Sequence, residues 1–380
     1  MTNTAPPNAH ATATGSALVD IDDLRSGVED RLRDILHEQG DTFATLSADA
    51  SSLIDAWKVL LLGGKRLRAA FCYWGYRVAH EGDIDQTTRN QLYRIGAALE
   101  LFQAAALFHD DVMDRSDTRR GNPTAHVSFT EEHRTRGYLG DADQYGISAA
   151  ILLGDLSLVA AENEFRTASY HFPEAGRLTA HGFFDRMRTV VSVGQFMDIH
   201  AQVLPWSDDL EAAKQRALAI IATKTSTYTV TYPLLTGAAL AGASAETLTR
   251  LERFAQPIGV AYQLLDDLLG TFGDSATTGK PSGDDLREGK RTVLVIEALS
   301  RLDGAHRAQL QDALGNPNLT DAQIVELVEL ISSSGAVAAA QELVETLSSE
   351  GLAHLEGPGL NPVGVDMLRR ITAYSLKRDL

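Results

Sequence analysis

Cysteine is nearly absent from the 380-residue chain: Cys72 stands alone, so no internal disulfide is available, and a reducing cytoplasm is the compartment that fits. Basic residues are also in short supply, 34 Lys and Arg against 51 Asp and Glu, for a formal charge of −17. Such a surface repels nucleic acid and anionic membranes, so a phosphate ligand has to be held by a local basic cluster or a metal. Long hydrophobic runs are missing too. Within the longest uncharged stretch, residues 228 to 245 near membrane-spanning length but are interrupted by Pro233 and rich in Thr and Gly; they read as buried helix, and no membrane span is expected. The N-terminus has neither a basic start nor an apolar centre, so residues 1–17 are expected to be a disordered tail and not a signal peptide.

Strand-like alternation is almost absent as well. From Leu18 onward apolar residues recur at three and four positions, which predicts an all-α protein. Helices are expected over 20–38, 50–62, 67–80, 87–114, 143–170, 175–203, 208–228, 244–270 and 291–302, with more toward the C-terminus. Breaks fall at Gly63-Gly64, Gly121-Asn122-Pro123, Pro205 and Gly279-Lys280-Pro281. None is long enough for an interdomain linker, so residues 18–380 read as one domain. Pro257 lies inside a periodic stretch and is expected to kink it.

What is present in strength is acid at two helix ends. In Phe108-His109-Asp110-Asp111-Val112-Met113-Asp114, Asp110 and Asp114 lie one helical turn apart on one face, with Asp111 rotated about 100° away. Two carboxylates so placed repel each other unless a cation lies between them, and hard oxygen ligands select a hard ion such as magnesium. Far downstream the pattern is echoed: Leu99-Glu100-Leu101-Phe102-Gln103 leads into the first pair, and Tyr262-Gln263-Leu264-Leu265 leads into Asp266-Asp267. Two apolar helices ending in aspartates are able to face each other across a bundle cavity and hold metal between them. One acidic cluster alone is most often a solvated face. Two clusters, each ending an apolar helix, point to a site, because carboxylates beside Leu and Phe are costly without a counter-ion.

Three basic groups accompany them. Gly63-Gly64-Lys65-Arg66-Leu67-Arg68 sets cations at a glycine turn before a helix, a place suited to an anion. It is not a P-loop, since Arg66 and not Ser or Thr follows Lys65. Arg119-Arg120 sits in a loop just beyond Asp114, within reach of the same ligand. Lys224-Thr225, Lys280 and Lys290 form the third group, each lysine alone being more often solvated than functional.

Taken in order, Gly64-Lys65-Arg66-Leu67-Arg68, the Asp110 to Asp114 motif with Arg119-Arg120, Lys224-Thr225, and Gln263-Leu264-Leu265-Asp266-Asp267 with Thr278-Gly279-Lys280 resemble the trans-isoprenyl diphosphate synthases. The likeness covers most of the chain after residue 20, and the stretch 266–294 is most similar to actinobacterial geranylgeranyl diphosphate synthases. The resemblance implies a bundle of antiparallel helices around a deep central cavity, a homodimer, and magnesium at the mouth. By position, Asp110, Asp114 and Asp266 would bind metal; Lys65, Arg68, Gln103 and Arg120 would hold isopentenyl diphosphate. Arg119, Lys224 and Lys280 would hold the allylic diphosphate, Lys290 would help close the site, and Thr225 and Gln263 would aim oxygen dipoles at an allylic cation. One departure stands out: Gly270 occupies the fifth position of the second motif, where the family often has aspartate, and Asp274 follows.

Product length depends on the cavity floor. Farnesyl-making relatives carry bulky aromatics four and five positions before the first aspartate, where this chain has Ala106 and Ala105. Phe102 lies another turn down, about 5.4 Å lower and close to one isoprene unit, so geranylgeranyl diphosphate is the expected product unless Phe102 is simple core packing. Three rivals fit less well. A class I terpene cyclase wants Ser or Thr at Gly270 and has no use for the Lys65 to Arg68 cluster. An HD-type phosphohydrolase would bind metal through histidines, and a catalytically dead partner subunit would have lost acidic ligands that this chain keeps.

Overall fold

The computed structural model describes residues 21–273 and 283–376. Residues 1–17, Asp274, Thr278, Gly279, Lys280, Pro281 and the terminal Lys377-Arg378 lie outside the described residues. Helices carry the architecture: α1 (Leu24–Leu46), α2 (Ser51–Leu61), α3 (Leu67–Ala79), α4 (Gln86–Met113), α5 (Ala125–Arg136), α6 (Ala142–Ser169), α7 (Glu174–Val203), α8 (Leu210–Ile221), α9 (Tyr232–Leu240), α10 (Ala245–Phe272), α11 (Asp284–Glu288), α12 (Val293–Arg301), α13 (Gly304–Ala313), α14 (Asp321–Ser333), α15 (Ala336–Ala353) and α16 (Pro362–Leu376). The only strands among the described residues are Thr118–Arg119 and Asn122–Pro123, an antiparallel clip where the sequence implied a loop.

Polar side chains start several of these helices. Asp85 accepts from the Thr88 amide at α4, Asp141 from Asp143 and Gln144 at α6, and Ser244 from Thr247 at α10, each satisfying a donor that the first turn leaves unpaired. Three expectations need correction. The first helix runs on to Leu46, and α5 was not anticipated, because its mixed polar sequence carries no clear apolar stripe. The third concerns 208–228. There α8 ends at Ile221 and residues Ala222–Thr231 wind as a π-helix, a local widening that periodicity does not reveal. Glycine at 194 lets α7 close on this segment: a Cβ there would lie 2.6 Å from the Lys224 amide nitrogen.

Two buried apolar clusters form the interior, and α10 belongs to both. Phe254, Ala255 and Ile258 pack with α1, α3, α4, α6, α7 and α9. Ala261, Leu264, Leu265 and Leu268 pack with α12, α14 and α15. The second acidic motif therefore sits on the helix that both clusters grip. Residues 232–240 are buried throughout, as the sequence implied. By length and composition α6 passes the test for a membrane span, as does the bent pair α14 and α15 taken together; α6 packs along α4 and α5, as a core helix does, with its apolar window less than half buried.

A buried ion cluster ties α1, α4 and α6 together. Arg31 donates to both Glu164 oxygens at 2.8 Å, and Arg94 donates to the same carboxylate at 2.6 and 3.2 Å. Burial alone would raise the Glu164 pKa, but the hydrogen bonds from Arg31 and Arg94 outweigh it and draw the group below its usual 4.5. Its stabilisation is therefore present above about pH 4.5 and is lost as pH falls through the lowered value. Glu164→Ala should cost about 2–3 kcal/mol at pH 7, the arginines being partly open to solvent, and markedly less at pH 3. Denaturant titrations of both proteins at the two pH values measure this; a pH-independent difference would contradict it.

Candidate active site

Helix α4 delivers the first acidic wall. Its partly exposed face runs through Gln103, Ala106, Asp110 and, at the C-cap, Asp114, whereas Ala105 is fully buried and Phe102 nearly so. Phe102 stands edge-on to Phe184, with ring centroids 6.3 Å apart, and edge-on to Tyr228 at 6.2 Å. It is therefore part of an aromatic wall and not a lone plug.

The first wall is filled with ammonium groups. Lys224, on the π-helical segment, reaches Asp110 at 3.1 Å and Asp198 of α7 at 2.8 Å. Lys290 reaches Asp114 at 3.1 Å, Asp285 at 3.6 Å and Glu288 at 2.5 Å. Arg119 donates Nε to Asp111 at 2.9 Å and stands 3.7 Å from Asp110, so the middle aspartate of the motif anchors an arginine. Burial pushes toward a neutral Asp110, but Lys224, Lys290 and Arg119 overrule it and hold the carboxyl well below the usual range. Asp114 goes the other way, pushed up to about 6 by burial and by the neighbouring Asp110 charge. Despite their burial, Lys224 and Lys290 are raised by these carboxylates and stay charged.

The second wall is α10. Asp266 is exposed, while Asp267 is buried and accepts a hydrogen bond from Gln263 Nε2 at 2.7 Å. Burial, with the charges of Asp285 and Asp266, raises the Asp267 pKa well above its ordinary value. A Cβ at Gly270 would lie 2.4 Å from Asp285 Oδ2. A carboxylate from α11 thus occupies the space that a side chain at 270 would take, which is the physical reason for glycine there. Asp285 also links the walls, since Lys290 pairs with both Asp285 and Asp114.

A second basic pocket lies at the start of α3. Arg66 turns inward to Glu100, 3.4 Å away, and to the Leu61 carbonyl at 2.6 Å. Arg68 donates to Thr229 Oγ1 at 3.0 Å, with its guanidinium 4.2 Å over the Tyr228 ring. Arg120 donates to the Leu60 carbonyl at 3.3 Å, its guanidinium beside Gly64. Desolvation, Arg66 and Arg68 lower the Arg120 pKa against the pull of Glu100. Arg66, Arg68 and Arg120 lie near one another with Glu100 paired to Arg66 alone by a short contact, a local excess of positive charge that an anion would relieve. Lys65 lies 5.5 Å over the Tyr374 ring of α16.

Asp110, Asp114, Arg119, Lys224 and Lys290 are thus brought together at the first wall, and Arg68 and Arg120 at the second basic cluster, while Thr225 and Gln103 are partly exposed and Asp266 is exposed. Sequence reasoning passed over Asp198, Asp285, Glu288 and Ser116. The signals were modest: Gln195 and Asp198 are three apart on a helix, and Asp285 and Glu288 are three apart just before Lys290.

The model of the family described as polyprenyl synthetase matches residues 51–331. The chain belongs to the polyprenyl synthetase family. Among solved structures, this polyprenyl synthetase is similar to a geranylgeranyl pyrophosphate synthase of Corynebacterium glutamicum complexed with isoprenyl diphosphate and magnesium, at TM-score 0.86 and 33% identity, over 95% of this chain and 100% of that one. It is 30% identical over 287 residues to a geranylgeranyl diphosphate synthase of Sulfolobus acidocaldarius, covering 75% of this chain and 78% of the relative. A nonaprenyl diphosphate synthase of Mycobacterium tuberculosis is 29% identical over 288 residues, 76% of this chain and 75% of that one. The family and the all-α fold thus agree with the resemblance drawn from the motifs, while the relatives' names span several product lengths.

The donor set fits magnesium. Among the described residues no three carboxylates or other ligating side chains are already drawn round one point, because lysines stand between them. Asp114 Oδ2 is buried and faces the Lys290 ammonium at 3.1 Å, the place a cation takes, and hard carboxylate oxygens are what magnesium takes. Asp110 and Asp114 could hold metal from one wall and Asp266 from the other. Magnesium with inorganic pyrophosphate should therefore raise the melting temperature, by an amount equivalent to about 2.7 kcal/mol at a hundredfold excess over Kd. Asp110→Asn or Asp266→Asn should abolish the shift; an unchanged shift in both would remove the site.

Proposed function

We propose that the protein catalyses the magnesium-dependent head-to-tail condensation of isopentenyl diphosphate with allylic diphosphates, ending at geranylgeranyl diphosphate. The observation that carries the reading is helix α4, where Asp110 and Asp114 stand above the small, partly exposed Ala106, and Phe102, a further turn down, is packed edge-on against Phe184 and Tyr228.

Magnesium, when bound, would supply neutralising charge for the departing diphosphate. Lys224, Arg119 and Lys290 add fixed cations where that charge grows as the allylic carbon–oxygen bond breaks and its electron pair leaves with diphosphate. Lys280 belongs with them by resemblance. Lys65, Arg68, Arg120 and Gln103 would hold isopentenyl diphosphate at the second basic pocket, with its double bond facing the new allylic cation. Gln263 gives its amide N–H to Asp267, which leaves the carbonyl oxygen to face the cation; Thr225 would add a hydroxyl dipole. Attack by the double bond forms the carbon–carbon bond, and the released diphosphate takes the final proton. Apolar walls exclude water that would quench the cation.

Purified protein given magnesium, isopentenyl diphosphate and each allylic primer in turn should release elongated prenyl diphosphates, read by product sizing. Cyclised hydrocarbon would indicate a terpene cyclase, and inorganic phosphate alone a hydrolase. Ala106→Phe should make farnesyl diphosphate the main product; unchanged length would remove the floor. Ala105→Phe tests less cleanly, because Ala105 is fully buried and a ring there has to displace packed neighbours.

The same reading includes a homodimer in the cytoplasm. Ile151, Leu152 and Val159 on α6 and Leu178, Val193 and Phe196 on α7 are exposed, more large apolar groups than a monomer leaves on adjoining helices. A second copy of the chain would bury them. Sedimentation should give a dimer for the wild type and a monomer for Val159→Glu; a dimeric variant would move the interface elsewhere.

A further inference from the structure

Lys290 is half-buried among three carboxylates, one of which, Asp114, comes from the opposite wall. Under the function proposed above, that pairing is temporary, since metal and diphosphate would claim Asp114 and Lys290 would turn to phosphate. Something else has to keep the Lys290 segment against the first wall.

Ser116 is placed to do so. It lies two residues beyond Asp114, is itself buried, and its backbone N–H donates to the Asp111 carbonyl at 3.0 Å, so it belongs mechanically to the first acidic motif. Its hydroxyl donates to Glu288 Oε1 at 2.8 Å across 172 residues of sequence. The other Glu288 oxygen faces the Lys290 ammonium at 2.5 Å. One carboxylate thus grips the first wall with one oxygen and the lysine with the other. We propose that Ser116 and Glu288 form a clasp across the mouth of the site, and that both are positioning residues which hold Lys290 within reach of the allylic diphosphate.

The clasp is not what keeps α11 folded. Leu286 is fully buried in the second apolar cluster, the Gly315 amide donates to the Leu286 carbonyl at 2.9 Å, and Arg287 pairs with Asp321 at 2.9 Å on the outer side. Removing one hydroxyl at 116 therefore leaves α11 anchored, and alters only where its Lys290 end rests.

In Ser116→Ala the KM for allylic diphosphate, and the calorimetric Kd for a non-hydrolysable allylic thiolodiphosphate with magnesium, should rise about tenfold, the worth of one hydrogen bond to a charged group. The KM for isopentenyl diphosphate should stay within about twofold, and Ser116→Thr, which restores the hydroxyl, should recover the wild-type value. In a Lys290→Ala background the Ser116→Ala change should add nothing, because a positioning residue has no effect once the group it positions is gone. In metal-free protein, Ser116→Ala should speed amide hydrogen exchange in 284–290 with an unchanged melting temperature. A wild-type Kd in Ser116→Ala, or an equal loss in the Lys290→Ala background, would overturn the clasp. Failure of the wild type to elongate any primer would instead overturn the proposed reaction, and the exchange measurement stands apart from it.

Discussion

Carboxylates crowded at the end of a helix bundle cannot all stay ionised without positive charge between them, and the mouth of this cavity is built around that constraint. Lys224 and Lys290 stand where the charge is densest, each shared by acids from different elements: Asp110 and Asp198 for one, and Asp114, Asp285 and Glu288 for the other. Asp110 and Asp114 shift in opposite directions because Lys224, Lys290 and Arg119 favour the first as an anion, while burial and that anion's charge disfavour ionisation of the second. The lysines thus do two things. They keep the walls together, and they mark the positions that divalent metal would contest.

The scaffold follows from the need to bring such groups together without filling the space between them. On the partly exposed face of α4 the small Ala106 lies one turn from Asp110, while Phe102 packs edge-on against Phe184 and Tyr228. The π-helical turn at 222–231 delivers Lys224 to Asp110, with α7 passing close over Gly194. Tyr228 in the same segment underlies the Arg68 guanidinium, so one widened helix borders both the acidic cluster and the second basic cluster.

Helical periodicity and the breaks at glycine and proline were enough to place α2, α3, α4, α6, α7 and α10 within a residue or two. The paired aspartates and the basic clusters were legible because each is a local pattern, a spacing of one helical turn or a run of cations at a glycine turn. What stayed hidden is relational. Arg66 looks like its neighbours Lys65 and Arg68, yet its left-handed backbone turns it inward to Glu100, a partner 34 residues away. Asp198 acquires its meaning only when α7 meets the π-helical segment, and Glu288 only when the chain has returned across 172 residues to Ser116. Helix α5 was missed because mixed polar sequence leaves no stripe to read.

Gly270 and Asp285 compete for one small volume. The negative charge of the second wall is consequently a shared property of α10 and the segment after it, and the two positions are alternative sources of it. A branched residue at either place is incompatible with the other as it stands, so substitutions at these two sites should be tolerated in pairs more readily than alone. A tally of aspartates along one helix underestimates the acid that faces the cavity, because part of it arrives by a different route through space.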